Sequence, residues 1–318
     1  MARARTNKRG SFVHQVNQRM KEMERFGESR HEAKEEYREM MGTNQTHNRT
    51  VGIHNYNTFN AYKSTCKQFT EWAKNEGIKL RNIEDVKEEH IRDYVKYRAE
   101  QGYSSYTYSK DMSALNKVFN YHVTKKECEV ANRSYKNVSN NREMKEHHSK
   151  INYNNYKDEV TVGTATGMRR ETYTKVCANS FNYDKNGYPV SIRLIDERKI
   201  GGDNLREKGG RPRTAEIPYN MREPLREVIE KKLEENNGDR SAKFFEHIPS
   251  RLGTHRLRQE YADNMYKQYI GEHGTGTVVD KNTGKSDYRG HDYGALKYVT
   301  QNLGHNRVDV AHYSYLGK

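Results

Sequence analysis

Five short motifs in the second half of the chain carry residue types suited to handling a phosphoryl group. Arg169 stands in T-G-M-R, Lys208 in E-K-G-G-R-P-R, His255 and Arg258 in T-H-R-L-R, His305 in N-L-G-H, and two tyrosines, Tyr313 and Tyr315, in the terminal A-H-Y-S-Y-L-G. A guanidinium stays protonated and offers forked donors that match phosphate oxygens. An imidazole can take or give a proton near neutrality. A phenol, titrating near about 10, is a weak nucleophile until it is positioned and relieved of its proton. The local spacing adds some geometry. His255 and Arg258, three apart, share one face of a helix, and Gly304 closes a periodic stretch where glycine can take the left-handed turn, so that His305 projects from a corner. Lys208 sits beside two glycines on an expected hairpin turn, and Arg169 follows a glycine early in an expected helix. Singly these are weak signals, because basic residues near glycine are common in a basic chain.

The elements that must hold these groups alternate between helix and strand. TGMRRETYTKVCANSF reads as helix, FNYDKNGYPVSIRLI as a strand pair turning at Asn186-Gly187, and REKGGRPRTAEIP as a Gly-Gly turn into another strand. MREPLREVIEKKLEENNG is a strong helical pattern, expected to start near Pro224 and stop at Asn237-Gly238. Helical patterns resume at THRLRQEYADNMYKQYI and YGALKYVTQNLGH, separated by a Gly/Thr/Asp-rich loop over 271–290.

The first half differs. TFNAYKSTCKQFTEWAKNEG spaces Tyr62, Cys66, Phe69 and Trp72 at helical intervals and ends at Gly77. VKEEHIRDYVKYRAEQG repeats the arrangement with Val86, Ile91, Tyr94 and Val95 before Gly102, and SSYTYSKDMSALNKVFNYHV opens with serines able to cap its free amides. The stretch VHQVNQRMKEMERFGESRHEAKEEYREMM, dense in mixed charge, reads as solvated helix. The organisation expected is therefore a charged helical extension over 1–48, a helical module over 49–131, a polar linker over 132–150 and a mixed domain over 151–318. The fold class is mainly α with a small β-sheet.

Composition narrows the partners. With 57 Lys+Arg against 43 Asp+Glu the formal charge is +14, which favours a polyanion, and nucleic acid first. Three isolated cysteines, Cys66, Cys128 and Cys177, offer neither a disulfide framework nor zinc-ligand spacing. His147 and His148 lack partner ligands at useful spacing, so no metal is expected. No stretch approaches the roughly 20 apolar residues of a membrane span. A soluble, cytoplasmic protein is expected.

In order and combination, T-G-M-R, then K-G-G before a strand, then H-R-L-R, L-G-H and a late tyrosine, the second half resembles the tyrosine recombinase (phage integrase) family. The resemblance spans about residues 160–318 by motif; the preceding helices fit the family's SAM-like core-binding domain by general pattern. It implies that Arg169, where the family usually has T-G-L-R, is the first catalytic arginine and Lys208 the β-hairpin lysine. His255 and Arg258 match its H-x-L-R motif, and His305 its L-G-H. The family most often has its tyrosine about nine residues after that histidine, a position held here by Ser314; Tyr315 is preferred over Tyr313, because Tyr-Leu resembles the ending of many such integrases.

The resemblance implies cleavage and rejoining of DNA strands through a 3′-phosphotyrosine bond. Arg169 and Arg258 would hold the scissile phosphate, His255 would act as base, His305 would donate to the phosphate, and Lys208 would protonate the departing 5′-hydroxyl. The ester energy is kept, so no cofactor is expected. The implied partners are double-stranded DNA, a homo-tetramer spanning two recombination sites, and accessory DNA-bending proteins. The tail beyond Tyr315 is expected to be short, which points to the N-terminal extension or the 271–290 loop for contacts between copies. A type IB topoisomerase-like relaxing activity and a catalytically silent DNA-binding regulator remain the alternatives.

Overall fold

The computed structural model describes residues 10–42, 52–134, 151–195, 205, 207 and 212–316. Lys208 with its Gly-Gly turn, the basic tail over 1–9 and the His147-His148 pair lie outside the described residues. The chain divides into two compact units, Met1–Ser139 and Asn140–Lys318.

The first unit is all helix: α1 (Phe12–Glu22), α2 (Arg30–Met41), α3 (Tyr56–Asn75), α4 (Glu88–Glu100) and α5 (Ser105–Phe119). The glycine stops and the serine cap act as expected. Gly77 and Gly102 follow α3 and α4 with positive φ, and the Ser104 hydroxyl accepts from the Thr107 amide at the head of α5. The apolar stripes converge on Phe69, whose ring lies 5.7 Å from Trp72, 5.4 Å from Tyr94 and 5.8 Å from Phe119.

The N-terminal stretch departs from its reading as a solvated helix. It breaks into α1 and α2 around Gly27, and α1 buries Phe12, Val16 and Met20 in this core. Those residues are four apart, an apolar stripe too narrow to stand out among so many charges. A buried polar group stands at the centre of a small network inside the unit: Asp111 accepts from the Arg98 Nε at 3.1 Å and from the Thr65 hydroxyl at 2.8 Å.

The second unit mixes helix and sheet: α6 (Lys157–Thr166), α7 (Arg170–Tyr173), β1 (Phe181–Tyr183), β2 (Pro189–Leu194), β3 (Arg213–Glu216), α8 (Tyr219–Glu235), α9 (Thr254–His273), β4 (Asp287–Tyr288), β5 (His291–Asp292), α10 (Tyr293–Asn302) and α11 (Val308–Ala311). A π-helical turn, His312–Leu316, follows. The sheet runs β1-β2-β3, antiparallel throughout, with Ile192 opposite both Phe181 and Ala215. Its inward residues Phe181, Ile192, Leu194, Ala215 and Ile217 share a core with Leu225, Val228 and Ile229 of α8. A second apolar cluster joins Tyr261, Ala262 and Met265 of α9 to Leu296, Val299 and Leu303. This mainly helical architecture with small antiparallel sheets is the fold class expected.

Two local expectations are corrected. TGMRRETYTKVCANSF is not one helix: α6 ends at Thr166, Met168 and Arg169 leave it, Arg170–Tyr173 makes one α turn, and Ala178–Ser180 makes a short 3-10 turn. Gly167 takes φ +55°, which stops α6, and Arg169 is extended at φ −82°, ψ 158°. The helix over MREPLREVIEKKLEE begins at Tyr219, five residues before Pro224, which costs it one early backbone hydrogen bond. Among the described residues no helix is long and apolar enough to cross a membrane.

Asp111 supplies the first test. Asp111→Ala leaves the Arg98 guanidinium buried and without its carboxylate, and is expected to destabilise the helical unit by about 3–5 kcal/mol. Asp111→Asn, which keeps an acceptor for Thr65, is expected to lose less. Urea unfolding followed by fluorescence of Trp72, the single tryptophan of the chain, measures both.

Candidate active site

All five sequence-predicted site residues within the described set, Arg169, His255, Arg258, His305 and Tyr315, belong to the second unit and draw together. Arg258 is the centre. It lies on α9 with its side chain 3% exposed. Its Nη2 donates to the Leu303 carbonyl at 2.5 Å, its Nη1 to the Gly167 carbonyl, and its Nε to the Tyr315 hydroxyl at 3.1 Å. One side chain thereby ties together the T-G-M-R corner, the L-G-H corner and the terminal tyrosine.

Both corners need their glycines. Gly304 has φ +69°, and a Cβ there would meet the Arg213 Cδ at 2.6 Å. Gly167 has φ +55°, and a Cβ would overlap the Tyr261 ring. Each position demands a left-handed backbone and also has no room for a side chain.

The terminal tyrosine reaches Arg258 through the π-helical turn. A π turn takes up one residue more than an α turn, so Tyr315 points inward one place beyond Ser314, whose carbonyl accepts from the Gln259 Nε2 at 3.3 Å. The Tyr315 ring lies 5.1 Å from His255 and 5.6 Å from His305, centre to centre. Tyr313 faces elsewhere: its ring is 4.7 Å from His312 and lies under the Arg289 guanidinium at 5.2 Å. The β4–β5 hairpin holds this turn from outside, with His291 Nε2 3.2 Å from the Leu316 carbonyl and its ring 5.0 Å from His312.

Three residues that motif reading passed over complete the constellation. Glu207, its side chain 3% exposed, accepts from the Arg169 backbone amide and from Arg169 Nη1, both at 2.5 Å. The same carboxylate takes Arg213 Nη2 at 2.9 Å and Nε at 3.2 Å, with Arg258 Nη1 at 3.9 Å. Arg213 also donates to the Asn302 carbonyl. Arg170, adjacent to Arg169, turns away to bind the loop before α9, donating to the carbonyls of Ile248, Pro249, Ser250 and Leu252. A signal for Arg213 existed. It precedes Ala215 and Ile217 at two-residue intervals in a strand whose alternate residues face inward, and an inward arginine implies a buried counter-charge.

The electrostatics follow from this crowding. Burial pushes the Glu207 carboxyl up, but Arg213, Arg258 and Arg169 together hold it below the usual glutamate range, so it is ionised at neutral pH. His305 is pulled down to about 3, by burial first and then by Arg258, Arg169 and Arg213. Its imidazole is therefore neutral at pH 7, and its Nε2 is buried with no hydrogen-bond partner among the described residues. A neutral ring beside two arginines offers one N–H and one lone pair to whatever oxygen enters. Among the described residues no group of three or more His, Cys, Asp or Glu could hold a metal ion.

Comparison with known proteins bears on the helical unit most directly. Residues 54–126 match the family model for the phage integrase N-terminal SAM-like domain. No curated protein matches the chain. Solved structures similar to it include the Tn1549 transposon integrase in complex with transposon right end DNA, at 13% identity, covering 92% of this chain and 96% of that one, with a TM-score of 0.41. The XerH site-specific recombinase bound to its difH substrate is similar at 15% identity over 82% of this chain and 76% of that one, TM-score 0.39. XerA recombinase is similar at 15% identity over 89% and 92%, TM-score 0.30. The matched stretch, which holds α3, α4 and α5, is thus similar to the N-terminal SAM-like domain of phage integrases.

The buried His305 gives a pH dependence with a fixed sign. Its imidazole titrates near 6.5 in the unfolded chain and near 3 in the folded one. The unfolded state therefore binds the extra proton in between, and this contribution to stability is complete above about pH 6.5 and is lost as pH falls toward 3. His305→Gln is expected to flatten the acid side of the stability curve while altering it little above neutrality. Urea midpoints followed by circular dichroism between roughly pH 4 and pH 8 measure the slope.

Proposed function

We propose that this protein is a site-specific DNA recombinase of the integrase type, cutting and rejoining strands through a 3′-phosphotyrosine intermediate in the integration or excision of a mobile element. The observation that carries the reading is the Tyr315 hydroxyl at 3.1 Å from the Arg258 Nε, with the rings of His255 and His305 on either side and Arg169 tied through Glu207 to the same cluster. A phenol, two guanidiniums and two imidazoles around one small space suit attack on a phosphodiester and little else.

In this reading the scissile phosphate enters between Arg169 and Arg258. Its entry replaces the hydrogen bond that Arg258 now gives to Tyr315. The Tyr315 oxygen attacks phosphorus as its proton passes to His255, and the bond from phosphorus to the 5′-oxygen breaks. Lys208, by its family resemblance, returns a proton to that oxygen. The two guanidiniums offset the charge that builds on the non-bridging oxygens as phosphorus becomes five-coordinate. His305, neutral at physiological pH, gives its single N–H to one of those oxygens. The 5′-hydroxyl of a second duplex reverses the attack, so rejoining needs no nucleotide cofactor. Exchange between two duplexes requires four copies on two sites, with the net charge of +14 drawing the chain to DNA.

Incubating the chain with a randomised pool of nicked duplexes and isolating protein-linked DNA under denaturing conditions tests this. A covalent adduct is expected with the wild-type chain and with Tyr313→Phe, and none with Tyr315→Phe. Arg258→Ala is expected to slow adduct formation by about a hundredfold or more. An adduct that survives Tyr315→Phe but not Tyr313→Phe transfers the nucleophile to Tyr313. No adduct with any variant or with the wild type removes the recombinase reading.

A further inference from the structure

The mechanism proposed above uses Arg169 and Arg258 but not the carboxylate between them. Among the described residues Glu207 is the most enclosed acid of the second unit, and every one of its described contacts is with an arginine. Its Oε2 receives Arg169 Nη1 and Arg213 and faces Arg258 Nη1, while its Oε1 receives the Arg169 backbone amide. Two residues earlier, Leu205 is buried and donates its amide to the Ile195 carbonyl.

We propose that Glu207 is a positioning residue of the active site, a buried carboxylate that sets the separation and aim of the Arg169 and Arg258 guanidiniums toward the scissile phosphate. The inference rests on the recombinase reading. Three guanidiniums this close repel one another, and without an anion among them each would turn toward solvent. Arg213 shows why the anion stays in place. Its side chain is 6% exposed, and it holds Glu207 on one side and the Asn302 carbonyl, three residues before His305, on the other. Glu207 therefore links the T-G-M-R corner, β3 and the L-G-H corner. A carboxylate that merely occupied the phosphate site in the absence of DNA would be open to the cleft. This one is 3% exposed and fixed by a backbone amide, whereas Arg169, at 24%, keeps an exposed edge.

The charge balance agrees. Three guanidiniums and one carboxylate leave a net charge of two, enough to meet a phosphodiester that gains a second negative charge in its five-coordinate state. Glu207→Gln keeps the shape, raises the net charge and weakens the aim. Binding and turnover should therefore move apart.

The test uses the full-length chain and a nicked duplex selected from the randomised pool by adduct formation with the wild type. Glu207→Gln is expected to bind that duplex, in a Tyr315→Phe background, as tightly as the Glu207 form or more tightly. Its single-turnover rate of adduct formation at saturating DNA should fall by about a hundredfold. Glu207→Asp, which keeps the charge, is expected to recover a large part of that rate. A purely structural role would lower the fraction of active protein, read as burst amplitude, and leave the rate of the active fraction unchanged. Nitrogen-15 spectra of the arginine side chains give an independent reading. Slowly exchanging guanidinium signals from Arg169, Arg213 and Arg258 should persist in Glu207→Asp and vanish in Glu207→Gln. Wild-type rate in Glu207→Gln, or faster cleavage, overturns the proposal; the latter would make Glu207 an inhibitory placeholder. If Glu207→Gln fails to fold, the rate of Glu207→Asp and its arginine spectrum decide. If the wild-type chain forms no adduct, the recombinase reading fails, and the arginine spectra alone decide whether Glu207 orders the cluster.

Discussion

Gathering cationic side chains out of water is unfavourable unless something negative is gathered with them, and that constraint organises the second unit. Arg258 and Arg213 are almost wholly enclosed, and neither could be held there by apolar contacts alone. Glu207 and the carbonyls of Gly167, Asn302 and Leu303 take up their donors. The two glycine corners lie where they do because the arginines must reach those carbonyls. The corners in turn fix where Arg169 and His305 leave the backbone.

The two units meet different physical problems with the same chain composition. In the helical unit, aromatic rings gather around Phe69, and an enclosed ion pair, Arg98 with Asp111, takes a further hydrogen bond from Thr65. That arrangement ties α3, α4 and α5 together through one carboxylate. Around Glu207 in the second unit the arginines Arg169, Arg213 and Arg258 outnumber the carboxylate, and a neutral histidine is held beside them. An excess of enclosed positive charge is a cost in the free protein and becomes an asset when an anion arrives.

The terminal turn is the other place where local geometry serves the site. The π turn over His312–Leu316 brings Tyr315 to Arg258, while the β4–β5 hairpin, through His291 and Arg289, packs against the outer side of that turn. Irregular helical turns are costly and persist where neighbouring contacts over-determine them.

Much of this was legible in the residues themselves. The glycine stops of α3 and α4, the hairpin at Asn186-Gly187 and the shared face of His255 and Arg258 are local matters, decided within a few residues by φ preference and periodicity, and the sequence alone determined them. The burial of α1 escaped notice because its three-residue apolar stripe is diluted by charge, and only packing against Phe119 shows it. The partition of Arg169 toward the site and Arg170 toward the loop before α9 depends on which carbonyls lie within reach, as does the choice between two tyrosines separated by one serine. Glu207 was invisible for the same reason: a charged residue reads as solvated unless its partner is known, and its partners Arg169 and Arg258 come from segments distant along the chain. Local conformational preference is written in neighbouring residues, whereas the pairing of buried charge is settled only when the folded chain brings them into one dry space.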